Sequence, residues 1–558
     1  MGAPLWAAMM ALTNEESVKN GGYNVGFLNP LLYQIASGAN YSRDFHDVTI
    51  AGNNDLKSLQ GGKYPTTTAF DMATGLGSYN AANLASDLVA LGSQRTPTPA
   101  SATWYFAEGS VGGGFQEYIT LQNPAATATA NVTITYLLQN HTPPTVTVTK
   151  SVLASSRLTV NVNQDLGTSP SGAHISLSAI VKVTSGPNIV AERPMYLNST
   201  SLHVKSGTDV VGATNPGQNY YFSEADSTQQ GSSNYSTFVT MLNPSASTTA
   251  HVTVTYYTGT CSTTCLTDVV ALGPMQRATV TPSDKGLHQK LAIAVASDSS
   301  IVVERPMYFT ANIPAAGGTT TGAASEVGAT APGDDWLFAE GYTGTDFQEY
   351  LELANFGASP ATATVKLEYT NGTFQTVLVT VPANGHTEFD VNNANLHPNC
   401  GSSCTVTTSV SAEVTTSAST PIVADRLMYF HYSGKLSGGT DIVGQPAPAK
   451  SIFAFAEGYT AGTFSEYLTL QNPTNNDETV SVTLFTAHQL VFEQQTTVKA
   501  HSRSTLNINA LLNPMGGDGV SLTVEAIGSG ALIVAERPMY FNYGGDTGGT
   551  DIIGYTGG

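Results

Sequence analysis

AERPMY at Ala191–Tyr196 comes back as VERPMY at Val303–Tyr308, ADRLMY at Ala424–Tyr429 and AERPMY at Ala535–Tyr540. Returns at a near-constant interval mark a tandem array. A second phrase keeps step with the first: YFAEG at Tyr105–Gly109, YFSEA at Tyr221–Ala225, LFAEG at Leu337–Gly341 and FAEG at Phe455–Gly458. A third phrase, Gly-Thr-Asp followed by two aliphatic residues and Gly, closes three units at Gly207–Gly212, Gly439–Gly444 and Gly549–Gly554. The second unit reduces it to SEVG at Ser325–Gly328. The chain therefore divides into repeats at 101–213, 217–329, 333–445 and 450–558, with a segment of different grammar, 1–95, before them.

Inside a repeat the apolar period is two. ATANVTITYLL (Ala128–Leu138) and ATATVKLEY (Ala361–Tyr369) alternate β-branched or aromatic residues with small polar ones, the pattern of half-buried strands. Asn371–Gly372 between two such runs predicts a hairpin. About seven short strands per unit predict a two-layer antiparallel sandwich, immunoglobulin-like in class, with a small barrel as the alternative. The linkers ATNPGQN, ATAPGDD and QPAPAK are short and carry Pro, so a semi-extended array is expected.

The charges recur with the phrases. Each repeat opens on a glutamate (Glu108, Glu224, Glu340, Glu457) and closes on an acid followed by arginine: Glu192–Arg193, Glu304–Arg305, Asp425–Arg426 and Glu536–Arg537. A third set, Glu117, Glu349 and Glu466, is replaced in repeat 2 by Thr237. Adjacent residues of a strand face opposite ways. One member of each closing pair is thus expected to meet the opening Glu across its own sandwich, the other to meet solvent or the next repeat. Paired carboxylates also run glycoside hydrolysis, but near-identical centres in every repeat argue for structural ion pairs.

With 21 Lys and Arg against 41 Asp and Glu, the net charge is -20. Such a chain lacks the cationic track that nucleic acid requires. Cys261–Cys265 and Cys400–Cys404, in CSTTC and CGSSC, have no further soft ligands nearby for a metal and read as two loop disulfides of an oxidising compartment. Asn40, Asn131, Asn140, Asn198, Asn234 and Asn371 head glycosylation sequons. No transmembrane span is expected: the apolar run Leu5–Leu12 is too short. Nor does it follow a basic region, as an export signal would; with extracellular chemistry, this suggests that Met1 is an internal start.

The first ninety residues carry Ala3-Pro4-Leu5-Trp6, Gly26–Pro30, Phe45–Thr49 with Gly52–Asn54, and Asp71 followed by Thr74–Gly77. In order, spacing and wording the segment resembles the C-terminal end of the sedolisins, acid-active serine peptidases with a subtilisin-like α/β fold. The resemblance implies a Ca2+ held by the carboxylates of Asp47 and Asp71 and the carbonyl of Val48. Two glycine carbonyls of the family pattern fall on Thr67 and Ala69. It also implies that the nucleophilic serine, its acid partners and the oxyanion aspartate lie upstream of this sequence, so no catalytic residue is expected here. The repeats, in turn, resemble a tandem β unit of large secreted bacterial proteins.

The sequence thus leads us to expect an extracellular structural or adhesive protein of a bacterial surface, self-associating head to tail into a filament. The alternative is the C-terminal part of a secreted sedolisin-type peptidase whose repeats bind glycan, cell wall or substrate.

Overall fold

A computed structural model describes the chain except residues 1, 20–24, 26–27, 51–65, 93–96, 232, 260–264, 394–407, 488–490, 513–518, 529 and 558. It forms two compact units: Met1–Pro97 with Glu493–Gln495, and Thr98–Phe492 with Thr496–Gly558.

The first unit is helical. Its described helices are Gly2–Lys19, Leu28–Ser37, Tyr41–Asp44 and Ala81–Gly92, and a short ladder pairs Phe45–His46 with Ser78–Tyr79 antiparallel. Met9, Ile35, Phe45, Leu84 and Leu88 form the core, and Trp6 packs on Tyr79 with ring centroids 4.2 Å apart. The first helix shows Leu5 and Leu12 to solvent (61% and 67% exposed) and buries a stripe of Met9, Thr13 and Ser17. No helix among the described residues is long and apolar enough to cross a membrane.

The second unit is built from antiparallel β-sandwiches. In repeat 1 one sheet orders Thr103–Phe106, Ile175–Ser185, Ala130–Leu138 and Thr145–Val152. The other joins Ser156–Asn161, Phe115–Asn123, Met195–Ser199 and Val204–Thr208. Repeat 4 reproduces both sheets from Ile452–Phe455 to Asp546–Thr550. Alternation explains the layers: Val132, Ile134 and Tyr136 point inward against Trp104, Phe106, Ile119 and Leu121, while the threonines between them face outward or half outward. The Asn of LQNP closes a turn. Asn123 Nδ2 donates to the carbonyls of Ala128 (2.8 Å) and Val152 (3.0 Å), and Asn472 does the same to Asn476 and Val498. Asn371–Gly372 forms the expected hairpin, with Gly372 at φ +77°.

The array is not extended. The strands Val204–Thr208, Gly318–Ala324, Leu436–Val443 and Asp546–Thr550 pack against one another, and repeat 4 returns onto repeat 1. The ring is closed by one contact used repeatedly. A Cβ on Gly439 would lie 2.6 Å from Phe309 Cζ of the preceding repeat, one on Gly549 2.6 Å from Phe430, and one on Gly207 2.7 Å from Phe541. At the fourth seam the ring and the glycine change together: Leu197 takes the place of Phe, and Ala323 that of Gly. A repeated heterologous contact either runs on as a filament or closes, depending on the rotation per step. Here the rotation closes, and the head-to-tail contacts expected between chains are made within one.

Candidate functional site

The recurring charges meet at the seams. Arg193 Nη2 lies 2.9 Å from Glu304 Oε2 of repeat 2, and Arg426 Nη1 lies 2.6 Å from Glu536 Oε2 of repeat 4. Arg537 Nη2 lies 3.3 Å from Glu192 Oε2 of repeat 1. Arg426 and Arg537 also pair with Asp551 and Asp209, the acids of the Gly-Thr-Asp phrase. Each closing acid in turn caps backbone amides of the repeat before it. Glu304 accepts from Ala107 N (2.6 Å), Glu536 from Ala339 N (2.7 Å), Glu192 from Ala456 and Glu457 N (2.6 and 3.0 Å), and Asp425 from Ser223 and Glu224 N (2.9 Å each).

These eight closing side chains are fully buried. Neither member meets solvent, and neither forms an ion pair with the carboxylate of its own opening glutamate among the described residues, although Arg426 Nη1 donates to the Glu340 carbonyl (2.6 Å). In repeats 1, 2 and 4 the strand breaks at Arg-Pro, and in repeat 3 it runs on through Asp425–Arg426; in all four the acid reaches back one repeat while the arginine reaches forward.

The opening glutamates find partners that the sequence reading missed. Glu108 pairs with Arg277 (3.3 Å), Glu340 with Arg503 (2.9 Å) and Glu457 with Arg157 (2.7 Å), each across a seam. A signal existed in SRLTV, QRATV and SRSTL at Ser156, Gln276 and Ser502. Repeat 3 puts His386 in this place. Both Glu224 oxygens there are buried without a hydrogen-bond partner, and burial drives that carboxyl well above its ordinary range.

Glu117, Glu349 and Glu466 have no ion-pair geometry. Burial pushes each up to about 8, against the pull of Arg193, Arg426 and Arg537 respectively. Each carboxyl lies over the glycine of the opening phrase, where a Cβ on Gly109, Gly341 or Gly458 would come within 2.5–2.9 Å of it. Repeat 2 shows the converse: Thr237 replaces the glutamate, and Ala225 replaces the glycine. Gly341→Ala alone should therefore destabilise by about 1–3 kcal/mol, the range for overpacking a filled core. Gly341→Ala with Glu349→Thr should recover only part of that loss, because the new Cβ would still lie 2.5 Å from the Val410 carbonyl oxygen; urea midpoints will read both.

Above these pairs, three seams open into aromatic clefts. The cleft between repeats 4 and 1 has a volume of about 810 Å³, with Arg157 and Glu457 beside Tyr118, Tyr196, Tyr459, Phe464 and Tyr543. Between repeats 3 and 4 it measures about 450 Å³, with Arg503 and Glu340 beside Tyr342, Phe347, Tyr432, Tyr467 and Tyr540. Between repeats 1 and 2 it measures about 290 Å³, with Arg277 and Glu108 beside Phe115, Phe238 and Tyr308. One edge-to-face pair recurs in all three: Phe464–Tyr196, Phe347–Tyr540 and Phe115–Tyr308, at 6.3, 6.2 and 6.0 Å. At the remaining seam Tyr235 and Tyr429 join their hydroxyls at 2.8 Å.

In the first unit Asp47 and Asp71 converge on the same loop. Ala69 N donates to Asp47 Oδ2 (2.6 Å), while Asp71 accepts from the amides of Thr67, Ala73 and Thr74 and from the Thr74 hydroxyl. A hard cation wants oxygens turned inward. Here amide hydrogens occupy both oxygens of Asp71, and only Asp47 Oδ1 is buried without a partner. Of the cysteines, Cys265 is disulfide-bonded; Cys261, Cys400 and Cys404 lie outside the described residues.

No family model matches the chain, and no curated protein does. Among solved structures, the Thermotoga maritima 1070 protein is 14% identical; the match covers 20% of this chain and 96% of that one, with a TM-score of 0.18. A tetra-tandem repeat from the extending region of a large adhesion protein is 9% identical over 80% of this chain and 96% of its own, with a TM-score of 0.09.

Proposed function

We propose that this chain is a non-catalytic structural or adhesive protein of a bacterial surface, exported from the cell, whose repeats hold a polysaccharide of the wall or envelope in the clefts between them. One observation carries the reading: the same furniture, an edge-to-face aromatic pair above a buried Glu–Arg pair, stands at three seams of one ring. Flat aromatic faces beside a few fixed polar groups suit a ligand that is apolar on its ring faces and polar at its rim. Repetition suits a polymer, since clefts joined in one body bind with an avidity that no single cleft has. The floor carboxylates are neutralised by arginine, which favours holding over proton transfer.

Purified protein should be retained on at least one insoluble wall polysaccharide. Tyr459→Ala with Tyr467→Ala, one ring from each of two clefts, should weaken that retention about tenfold or more, the scale of losing central aromatic contacts. Retention unchanged in the variant, or absent from every glycan surface, would sink the reading. A filament would have to use surfaces other than the closing phrases, which are occupied inside the second unit; electron microscopy should show discrete particles.

The motif run from Ala3–Trp6 to Gly77 supports a second reading, in which the ring is the wall- or substrate-binding part of a secreted sedolisin-type serine peptidase. The intact mass of the protein in the culture medium separates the two.

A further inference from the structure

We propose that the seam between repeats 2 and 3 holds a calcium ion on the carboxylates of Glu326, Asp425 and Asp441. One oxygen from each lies within 4.8 Å of the others, the span of a coordination sphere with calcium–oxygen distances of about 2.4 Å. All three side chains are more than nine-tenths buried.

A second observation is independent of the clustering. Glu326 Oε2, Asp425 Oδ1 and Asp441 Oδ1 are each buried with no hydrogen-bond partner. Their other oxygens are engaged: Glu326 and Asp441 by Arg305, Asp425 by the amides of Ser223 and Glu224. Unpaired buried carboxylate oxygens are expensive to hold, and few native structures leave three of them together.

Charge points the same way. Three carboxylates against one guanidinium leave two negative charges in a dry seam, which a divalent cation balances. Lys290 does not supply the difference, because it is committed to Glu352 and Glu388. The equivalent seams carry two acids about their arginine, Glu536 and Asp551 at Arg426, and Glu192 and Asp209 at Arg537. The third acid comes from repeat 2, which spells the closing phrase Ala-Ala-Ser-Glu-Val-Gly: Ser325 stands where the other repeats have Asp, and Glu326 stands where they have Val or Ile. Glu326 turns onto Arg305 of its own repeat, beside Asp425 and Asp441 of repeat 3. An oxygen-only donor set selects a hard ion, and a buried pocket favours calcium over magnesium, which gives up its water reluctantly.

The test uses the full chain, stripped with EDTA, dialysed and titrated with CaCl2. Wild-type protein should retain calcium by metal analysis, and its Tm should rise by several degrees. Both effects should be lost in Asp425→Asn and in Glu326→Gln and kept in Asp47→Asn. A wild-type Tm indifferent to calcium, with no metal retained, would overturn the proposal, as would calcium binding that survives both seam variants. Crystals grown with calcium give a reading that needs no variant: an ion between the three carboxylates supports the site, and an ordered water there overturns it.

Discussion

Replacing Arg537 by Met should destabilise the second unit by about 3–5 kcal/mol, the loss expected when one partner of a buried ion pair is removed. Arg537 is fully buried between Glu192 and Asp209 of repeat 1. Its removal leaves two carboxylates in the seam with no counter-charge, although each keeps an amide donor. The sum of the partners' pull holds the guanidinium above its ordinary range despite the opposing effect of burial. Urea denaturation should show a lower midpoint, and exposure of the seam should appear first between repeats 4 and 1. Arg537→Met combined with Glu192→Gln and Asp209→Asn should recover much of the loss, because the penalty lies in the unpaired charge more than in the missing attraction. Lys499→Ala, which breaks an exposed pair with Asp477 at 2.6 Å, should leave the midpoint where it is.

The second large effect is on pH dependence. Glu117, Glu349 and Glu466 are each pushed from an ordinary value of 4.5 up to about 8, chiefly by burial. Between these two values the native state holds protons that the unfolded chain has released, so stability falls as pH rises. The contribution is complete below about pH 4.5 and is lost as pH climbs through 8. Glu352, pushed up to about 8, acts in the same direction. At about 1.4 kcal/mol per proton per pH unit, several such groups make the loss large. The second unit should therefore melt at its highest temperature near pH 5 and many degrees lower at pH 9, the reverse of a protein held by exposed salt bridges. Glu349→Gln should flatten part of the slope, because its amide is neutral at every pH. Scanning calorimetry across pH 4–9 reads both.

What was legible in the sequence follows from what repeats encode. The period-two runs at Ala130–Leu138 and Ala361–Tyr369 became strands, and Asn371–Gly372 became a hairpin, because side-chain alternation and turn chemistry are local. The phrases gave the repetition but not the rotation from one repeat to the next. That rotation is fixed where Phe309, Phe430 and Phe541 each seat on a glycine of the next repeat along the ring or, for Phe541, back at its start. The arginines Arg193, Arg305, Arg426 and Arg537 meet the next repeat, one of the two destinations expected of a closing pair; the acids differ, reaching the amides of the preceding repeat and not their own opening glutamates, because alternation along a strand names a face, not the repeat that covers it. One exchange was readable as correlated spelling, Thr237 with Ala225, and one as an acid at an aliphatic position, Glu326 where the other repeats have Val or Ile, yet each becomes meaningful only once the carboxyl is seen over the glycine or beside Arg305.

The central claim is that repeat 4 closes on repeat 1 within a single chain. Thr98 and Thr523 bring their hydroxyls to 3.3 Å across that seam, within reach of a disulfide if both side chains become thiols. Mild oxidation of Thr98→Cys/Thr523→Cys should give a monomer cross-linked within itself, faster-moving on a non-reducing gel and identified by the linked peptides on mass spectrometry. Introduced thiols that stay free, or that link only two chains to each other, would contradict the ring.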